Sequence, residues 1–328
     1  MPKLQYIDLF CGIGGFRIAM ENVATARGVE AQCLFSSDID TDAQLTYQAN
    51  FGELPAGDIC KISADAIPNH DLLLGGFPCQ PFSIIGSRLG FEDTRGTLFF
   101  EIARLIDAKR PRAFLLENVK QLVGHDSGRT LQRILQVLQV RLGYQTCYKV
   151  LNALDFGLPQ KRERVFIAGF REATPFTWPR GGTIPPRPLE EILEPEVPES
   201  YWATETIRAN RLAQRDKVKT HRTIWHENKG GHISAYPYSC ALRAGASYNY
   251  LLVDGERRLT PREMLRLQGF PESFKIIRNY SAMRKLTGNS VAIPVVQAVL
   301  TKVLEALDET EPPMIQTNFL TIGNKFLS

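Results

Sequence analysis

Through its first 170 residues the chain alternates short apolar runs with amphipathic segments, and this alternation limits the fold more than any other feature. "LQYIDLF" (4–10), "AQCLFSSD" (31–38), "HDLLLGGF" (70–77) and "RAFLLENV" (112–119) read as strands. "GGFRIAMENVATAR" (14–27), "DTDAQLTYQANF" (40–51), "GTLFFEIARLIDAKR" (96–110) and "TLQRILQVLQVRL" (130–142) carry helical spacing between and after them. "QTCYKVLNA" (145–153) and "RVFIAGF" (164–170) add two further strands. Strands that are apolar on both faces, each followed by a helix, predict a mostly parallel α/β sheet covered on both sides.

The rhythm stops at Phe170. Seven prolines fall between Pro175 and Pro198, a density that interrupts regular elements and predicts a crossing into a second unit. Residues 201–250 turn irregular and polar. The stretch 201–290 holds 16 Lys and Arg against 7 Asp and Glu, although the whole chain carries only +4, so a basic face is concentrated there. Such a face suits a polyanion, and equally a solvated surface. Helical patterning resumes at "TPREMLRLQGF", where Thr260 suits an N-cap and Pro261 the first helical position. The last apolar helix, "IPVVQAVLTKVLEAL", is spaced to return to the first sheet. The expected organisation is therefore 1–170 as one domain completed by 285–310, 171–284 as a smaller second domain, and a tail over 311–328.

Six cysteines lie far apart, without a CxxC pair or a neighbouring histidine cluster, so neither a disulfide framework nor a metal site is expected. With no run near the roughly 20 apolar residues of a bilayer span and no signal-like N-terminus, a cytoplasmic protein is expected.

Five strand ends carry chemistry. The first runs into "DLFCGIGGF", a glycine-rich turn that lets backbone approach a ligand, although the spacing of Gly12, Gly14 and Gly15 is not that of a dinucleotide fingerprint. The second ends at Asp38, where a carboxylate suits ribose hydroxyls, and "GDI" (57–59) follows the next helix, so an adenosine-containing ligand is indicated. The third ends in "GGFPCQPFS". Gly75 and Gly76 permit a sharp turn and Pro78 limits it, which projects Cys79 from the strand end as a nucleophile would be presented. Glu117 and Asn118 end the following strand, and Arg162 and Arg164 alternate on one face of a later one, so a thiol, a carboxylate and guanidinium groups converge on one edge.

The ordered set "DLFCGIGGF", "GGFPCQPFS", "FEDTRGTLFFEIAR", "LLENV", "QKRERVFIAGF", "RRLTPREMLRLQGFP" and "LTGNSVAIPV" resembles the bacterial DNA (cytosine-5)-methyltransferases of restriction-modification type. The resemblance spans the chain outside roughly residues 171–255. It implies a Rossmann-like S-adenosylmethionine-dependent sheet with a target-recognition domain, double-stranded DNA as substrate and no metal. In that reading Cys79 adds to C6 of a flipped-out cytosine, Glu117 protonates N3, Arg162 contacts O2, and Arg164 orients the cysteine and its loop. S-adenosyl-L-methionine lies against Phe10, Gly12, Gly14, Asp38, Ile39, Asp58, Ile59, Gly76, Pro78, Leu98, Asn289 and Ser290. The segment "SIIGSRLGFEDTRG" (83–96) is the expected lid.

Ser83, Arg88 and Arg95 on that lid, with Asn228, His232, Arg243 and Asn249 in the basic segment, are the expected DNA contacts. A monomer is expected, with a cognate endonuclease acting on the same site without touching the protein. The chain departs from the family where relatives carry Thr followed by Leu, Val or Ile: here Ala241-Leu242 stands instead. It also departs at Cys11, which is read as packing, and at Ile85. Two alternatives keep the fold: a catalytically silent DNA-binding regulator, and an RNA cytosine-5 methyltransferase, whose Cys-Phe-Thr tripeptide this chain lacks.

Overall fold

The computed structural model describes residues 3–78, 98–213, 222–228 and 230–309. The first part comprises β1 (Lys3–Leu9), α1 (Gly15–Arg27), β2 (Glu30–Ser37), α2 (Thr41–Phe51), β3 (Leu72–Gly76), α3 (Leu98–Lys109) and β4 (Ala113–Val119). It continues with α4 (Arg129–Gln136), which ends in a π-turn over Val137–Arg141, and with β5 (Gln145–Asn152), β6 (Gln160–Lys161) and β7 (Glu163–Phe170). Next come α5 (Leu189–Ile192), α6 (Glu205–Leu212), β8 (Ile224–Glu227), β9 (Ile233–Tyr236), β10 (Ser239–Cys240) and β11 (Leu251–Val253). Three helices close the described chain: α7 (Pro261–Gln268), α8 (Tyr280–Asn289) and α9 (Ile293–Glu309).

The main sheet has the order β2-β1-β3-β4-β7-β5. Pairing is parallel from β2 through β4, and β7 runs antiparallel to both of its neighbours. The reversal has a simple cause: only the short stretch 153–162 joins β5 to β7, too little chain for the crossover that a parallel pair requires. From β1 the chain steps outward to β2 and then back past β1 to β3, so a crevice opens beyond the carboxyl ends of β1 and β3.

Strand periodicity divides the interior. Tyr6, Leu72, Leu74, Ala113, Leu115, Phe166 and Ala168 face one core with α1 and α9. Ile7, Leu73, Phe114, Leu116, Val165 and Ile167 face the other with α3 and α4. The run Tyr280–Glu309 has the length and apolarity of a membrane span by composition, a property the sequence reading did not find. In the fold it is divided near Ser290, and 67% of its most apolar window is buried, α9 being the core helix packed on α1.

A third apolar cluster gathers Leu189, Ile192, Ile224, Leu251, Val253 and Leu267 beside the small sheet β11-β8-β9. Its anchor is polar. Thr260 and Glu263 form a reciprocal capping box at the start of α7, and Glu263, fully buried, also takes a bidentate pair of bonds from Arg257 at 2.9 and 2.8 Å. Helices α7 and α8 serve both units: Leu265, Met283 and Leu286 belong to the large core, Met264 and Leu267 to the small one.

Candidate active site

The turn after β1 is built for close approach. Phe10 and Gly12 both take left-handed backbone, at φ 56° and 53°, and the turn is tied across to the end of β2. Asp38 does the tying: Oδ2 accepts from Gly12 N–H and Oδ1 from Asp40 N–H, each at 2.8 Å. Asp40 in turn caps α2, accepting from Asp42 N–H at 3.0 Å. Burial raises the Asp38 carboxyl above its ordinary range, while the two backbone bonds oppose the shift.

A cleft of about 390 Å³ opens beside this turn. Of the residues expected at a cofactor, Phe10, Gly12, Asp38, Ile39, Asp58, Ile59, Gly76, Pro78, Leu98 and Asn289 line it. Gly14 and Ser290 do not. Gly14 sits behind the turn at φ 85° against the Phe51 ring, and Ser290 is buried with its carbonyl turned to Arg162. Asp58 caps the turn over Ile59–Lys61, accepting from Cys60 N–H at 3.0 Å.

Glu117, Arg162 and Arg164 line the same cleft. Glu117 is 8% exposed, and its Oε1 lies 2.9 Å from Arg164 Nε. Burial raises its carboxyl; Arg164 and Arg162 pull the other way without overcoming it. Gly76 keeps the space beside it open, since a Cβ there would stand 3.4 Å from Glu117 Oε2. Arg162 is buried among backbone carbonyls. Nη1 donates to Leu242 O at 3.0 Å, and Nη2 donates to Gly288 O at 3.1 Å and Ser290 O at 2.5 Å. Desolvation, reinforced by Arg164, lowers its pKa to about 9.

Sequence reading missed several participants. Asn118 donates from Nδ2 to Phe77 O at 2.8 Å, which fixes the chain just before position 79; its place directly after Glu117 was the available signal. Asp40, Leu286 and Gly288 also line the cleft, and Lys285 pairs with Asp40 at 2.6 Å. Of the expected DNA contacts, Arg243 is exposed over the Tyr250 ring at 4.8 Å, next to the Leu242 carbonyl that holds Arg162. Asn228 and His232 are exposed in one turn, where Asn228 Oδ1 accepts from His232 N–H at 3.0 Å. Asn249 is half-buried in the loop before Tyr250. Cys79, Ser83, Arg88, Arg95, the expected lid 83–96 and the tail 311–328 lie outside the described residues.

A family model described as C-5 cytosine-specific DNA methylase matches residues 4–229 and 194–305. The chain belongs to this family. This methylase is 56% identical over 294 residues to Type II methyltransferase M.NgoBI of Neisseria gonorrhoeae, covering 89% of this chain and 90% of that protein. It is 50% identical to M.HaeII of Haemophilus aegyptius (94% and 95% covered) and 37% identical to M.HhaI of Haemophilus parahaemolyticus (91% and 94% covered). Among solved structures, Entamoeba histolytica methyltransferase EhMeth superposes with a TM-score of 0.70 at 18% identity, covering 94% of this chain and 99% of that one. S. pombe Dnmt2 methyltransferase gives 0.68 at 22% identity, covering 93% and 99%. At those identities the structural likeness carries the fold alone. The family makes this methylase an enzyme, a DNA cytosine-5-methyltransferase whose substrate is DNA.

Proposed function

We propose that this enzyme transfers a methyl group from S-adenosyl-L-methionine to C5 of a flipped-out cytosine within a specific double-stranded sequence, through a covalent bond between Cys79 and C6. The observation that carries the reading is Glu117: a buried carboxyl with a raised pKa, held by Arg164, in the same cleft as the glycine turn. Burial favours the protonated form of such a group, the form that can offer a proton to a ring nitrogen.

The cleft fits the cofactor on its own chemistry. A Cβ at Gly12 would meet no atom within 4 Å, Ile39 presents an apolar side chain that is 75% exposed, and Asp38, Asp58 and Asn289 supply polar groups around them. When bound, S-adenosylmethionine supplies the electrophilic methyl. The chain's residues do the rest. The Cys79 thiolate adds to C6 while N3 takes the Glu117 proton, so the electron pair of the broken double bond becomes available at C5. After C5 is methylated, its hydrogen leaves as a proton to solvent and the C6–S bond breaks as N3 returns its proton to Glu117, which restores the thiolate, the carboxyl and the aromatic ring.

The hydrogen bonds favour exchanging the roles expected for the two arginines. Arg164 touches Glu117 and suits the base, whereas Arg162 spends Nη1 and Nη2 on three backbone carbonyls. We assign target recognition to 171–284, with α7 and α8 shared with the catalytic unit, and read Arg243, Asn228, His232 and Asn249 as DNA contacts together with Ser83, Arg88 and Arg95. We read the enzyme as a cytoplasmic monomer of a restriction-modification system, its endonuclease acting separately on the same sequence. The test is deamination sequencing of DNA from cells expressing the chain. One fully protected motif is expected, lost with Cys79→Ser and with Glu117→Gln; protection unchanged in either variant would overturn the assignment.

A further inference from the structure

The segment Ser239–Tyr250, which carries Arg243, is fastened to β6, the short strand immediately before the pocket arginines. Its first residues pair in parallel with β6, Ser239 opposite Gln160 and Cys240 opposite Lys161, and Ser239 N–H donates to Pro159 O at 2.8 Å. One residue is then gripped from both sides. Gln160 Oε1 accepts from Leu242 N–H at 3.0 Å, and Arg162 Nη1 donates to Leu242 O at 3.0 Å. Just beyond it the backbone runs against Gly288, where a Cβ would stand 2.4 Å from Ala244 N.

Gln160 is fully buried and both ends of its amide are committed. Nε2 donates to Leu267 O at 2.8 Å and to Gln268 Oε1 at 3.3 Å. Because Leu242 N–H only donates and Leu267 C=O only accepts, the amide fits in one orientation. The rest of the segment is braced as well. Arg243 N–H donates to Tyr250 Oη at 2.9 Å, and Arg284 donates to Ala246 O at 2.5 Å while lying 4.4 Å over the Tyr248 ring.

We infer that Gln160 is a positioning residue that sets the register between the base-reading segment and the target pocket, so that a displacement of Arg243 on DNA is passed through the Leu242 backbone to Arg162. This rests on the proposed reading of 239–250 as a recognition segment. A wrong base that shifts the segment would then disturb the pocket, and sequence discrimination would appear in the rate of transfer as well as in binding. Without the Gln160 bond, the segment and the pocket lose their common reference.

The experiment compares Gln160→Leu with Gln268→Leu. Both remove an amide from the same buried network, but Gln268 touches Gln160, Thr287 O and Ser290 O and makes no bond to Leu242. Methylation is followed on duplexes carrying the motif mapped by sequencing and on duplexes with one base pair changed. Gln160→Leu is expected to lower the ratio of the two single-turnover rates at least tenfold, with cofactor affinity, read by calorimetry, within about threefold of wild type. Gln268→Leu is expected to lose thermal stability and keep the ratio. Equal ratios in wild type and Gln160→Leu, or an equal loss in both variants, would overturn the inference.

Gln160→Glu provides an independent arm and carries the test if Gln160→Leu does not fold. A neutral carboxyl can both accept from Leu242 N–H and donate to Leu267 O, whereas a carboxylate can only accept. Its discrimination ratio is expected to fall as pH rises while the wild-type ratio stays flat; parallel profiles would contradict the role. Failure of the underlying functional reading would appear differently, as absent methylation or a featureless ratio in the wild-type enzyme.

Discussion

Two glycines in one turn should respond to the same substitution in different ways. An alanine at Gly14 would place its Cβ 2.2 and 2.6 Å from two atoms of the Phe51 ring and 3.3 Å from Tyr47. The ring cannot move freely, because it lies 4.5 Å from the Tyr47 ring and 4.7 Å beneath the Arg17 guanidinium. Overpacking of this kind costs about 1–3 kcal/mol. The left-handed backbone at φ 85° adds about 1–2 kcal/mol. Gly12→Ala carries only the second cost, since nothing lies within 4 Å of its Cβ, but it faces the cleft. Equilibrium denaturant unfolding should therefore show Gly14→Ala less stable than Gly12→Ala by about 1–3 kcal/mol. Calorimetry with S-adenosylmethionine should show the reverse order in affinity loss once each variant is folded. Equal unfolding midpoints would refute the packing argument, and unchanged cofactor affinity in Gly12→Ala would refute the placement of the ligand.

Arg257→Ala should cost about 3–5 kcal/mol in unfolding experiments, because it strands the fully buried Glu263 without its cation. Asp8 is fully buried, its two carboxyl oxygens have no hydrogen-bond partner, and burial holds its pKa well above the usual carboxylate range. The folded protein thus keeps a proton there that the unfolded chain releases, so stability from this group is present below the ordinary carboxyl pKa and is lost as pH rises toward the folded value. Asp8→Asn should gain on wild type steadily in a series of thermal melts from acid to alkaline pH, and parallel curves would contradict this. For Glu117, raised in the same direction, single-turnover rates should fall as pH rises through its folded pKa. Glu117→Gln should be slower by about 10²-fold or more and lack that limb.

Much of the sheet was legible because its signals are local. The period-2 division of β1, β3, β4 and β7 between two cores lies in consecutive residues, as do the glycine turn and the Thr260 capping box. The cleft followed from which strand ends carried polar side chains, since the doubly wound order brings those ends together. What stayed hidden depends on distant partners. Arg162 bonds to carbonyls 80, 126 and 128 residues away, so no local pattern distinguishes it from Arg164. The Gln160 bonds to Leu242 and Leu267 are hidden for the same reason. Gly14 looked like a ligand-facing glycine by motif, whereas its missing side chain makes room for Phe51.

The central claim is a transient bond between Cys79 and a cytosine held by Glu117 and Arg164. It is tested most directly with a duplex carrying 5-fluorocytosine at the position mapped by deamination sequencing, incubated with enzyme and S-adenosylmethionine and digested for mass spectrometry. Fluorine at C5 cannot leave as a proton does, so the account expects a stable adduct on the peptide containing Cys79. An enzyme that methylates the natural duplex yet forms no adduct with the fluorinated one, or forms it on another residue, would contradict it.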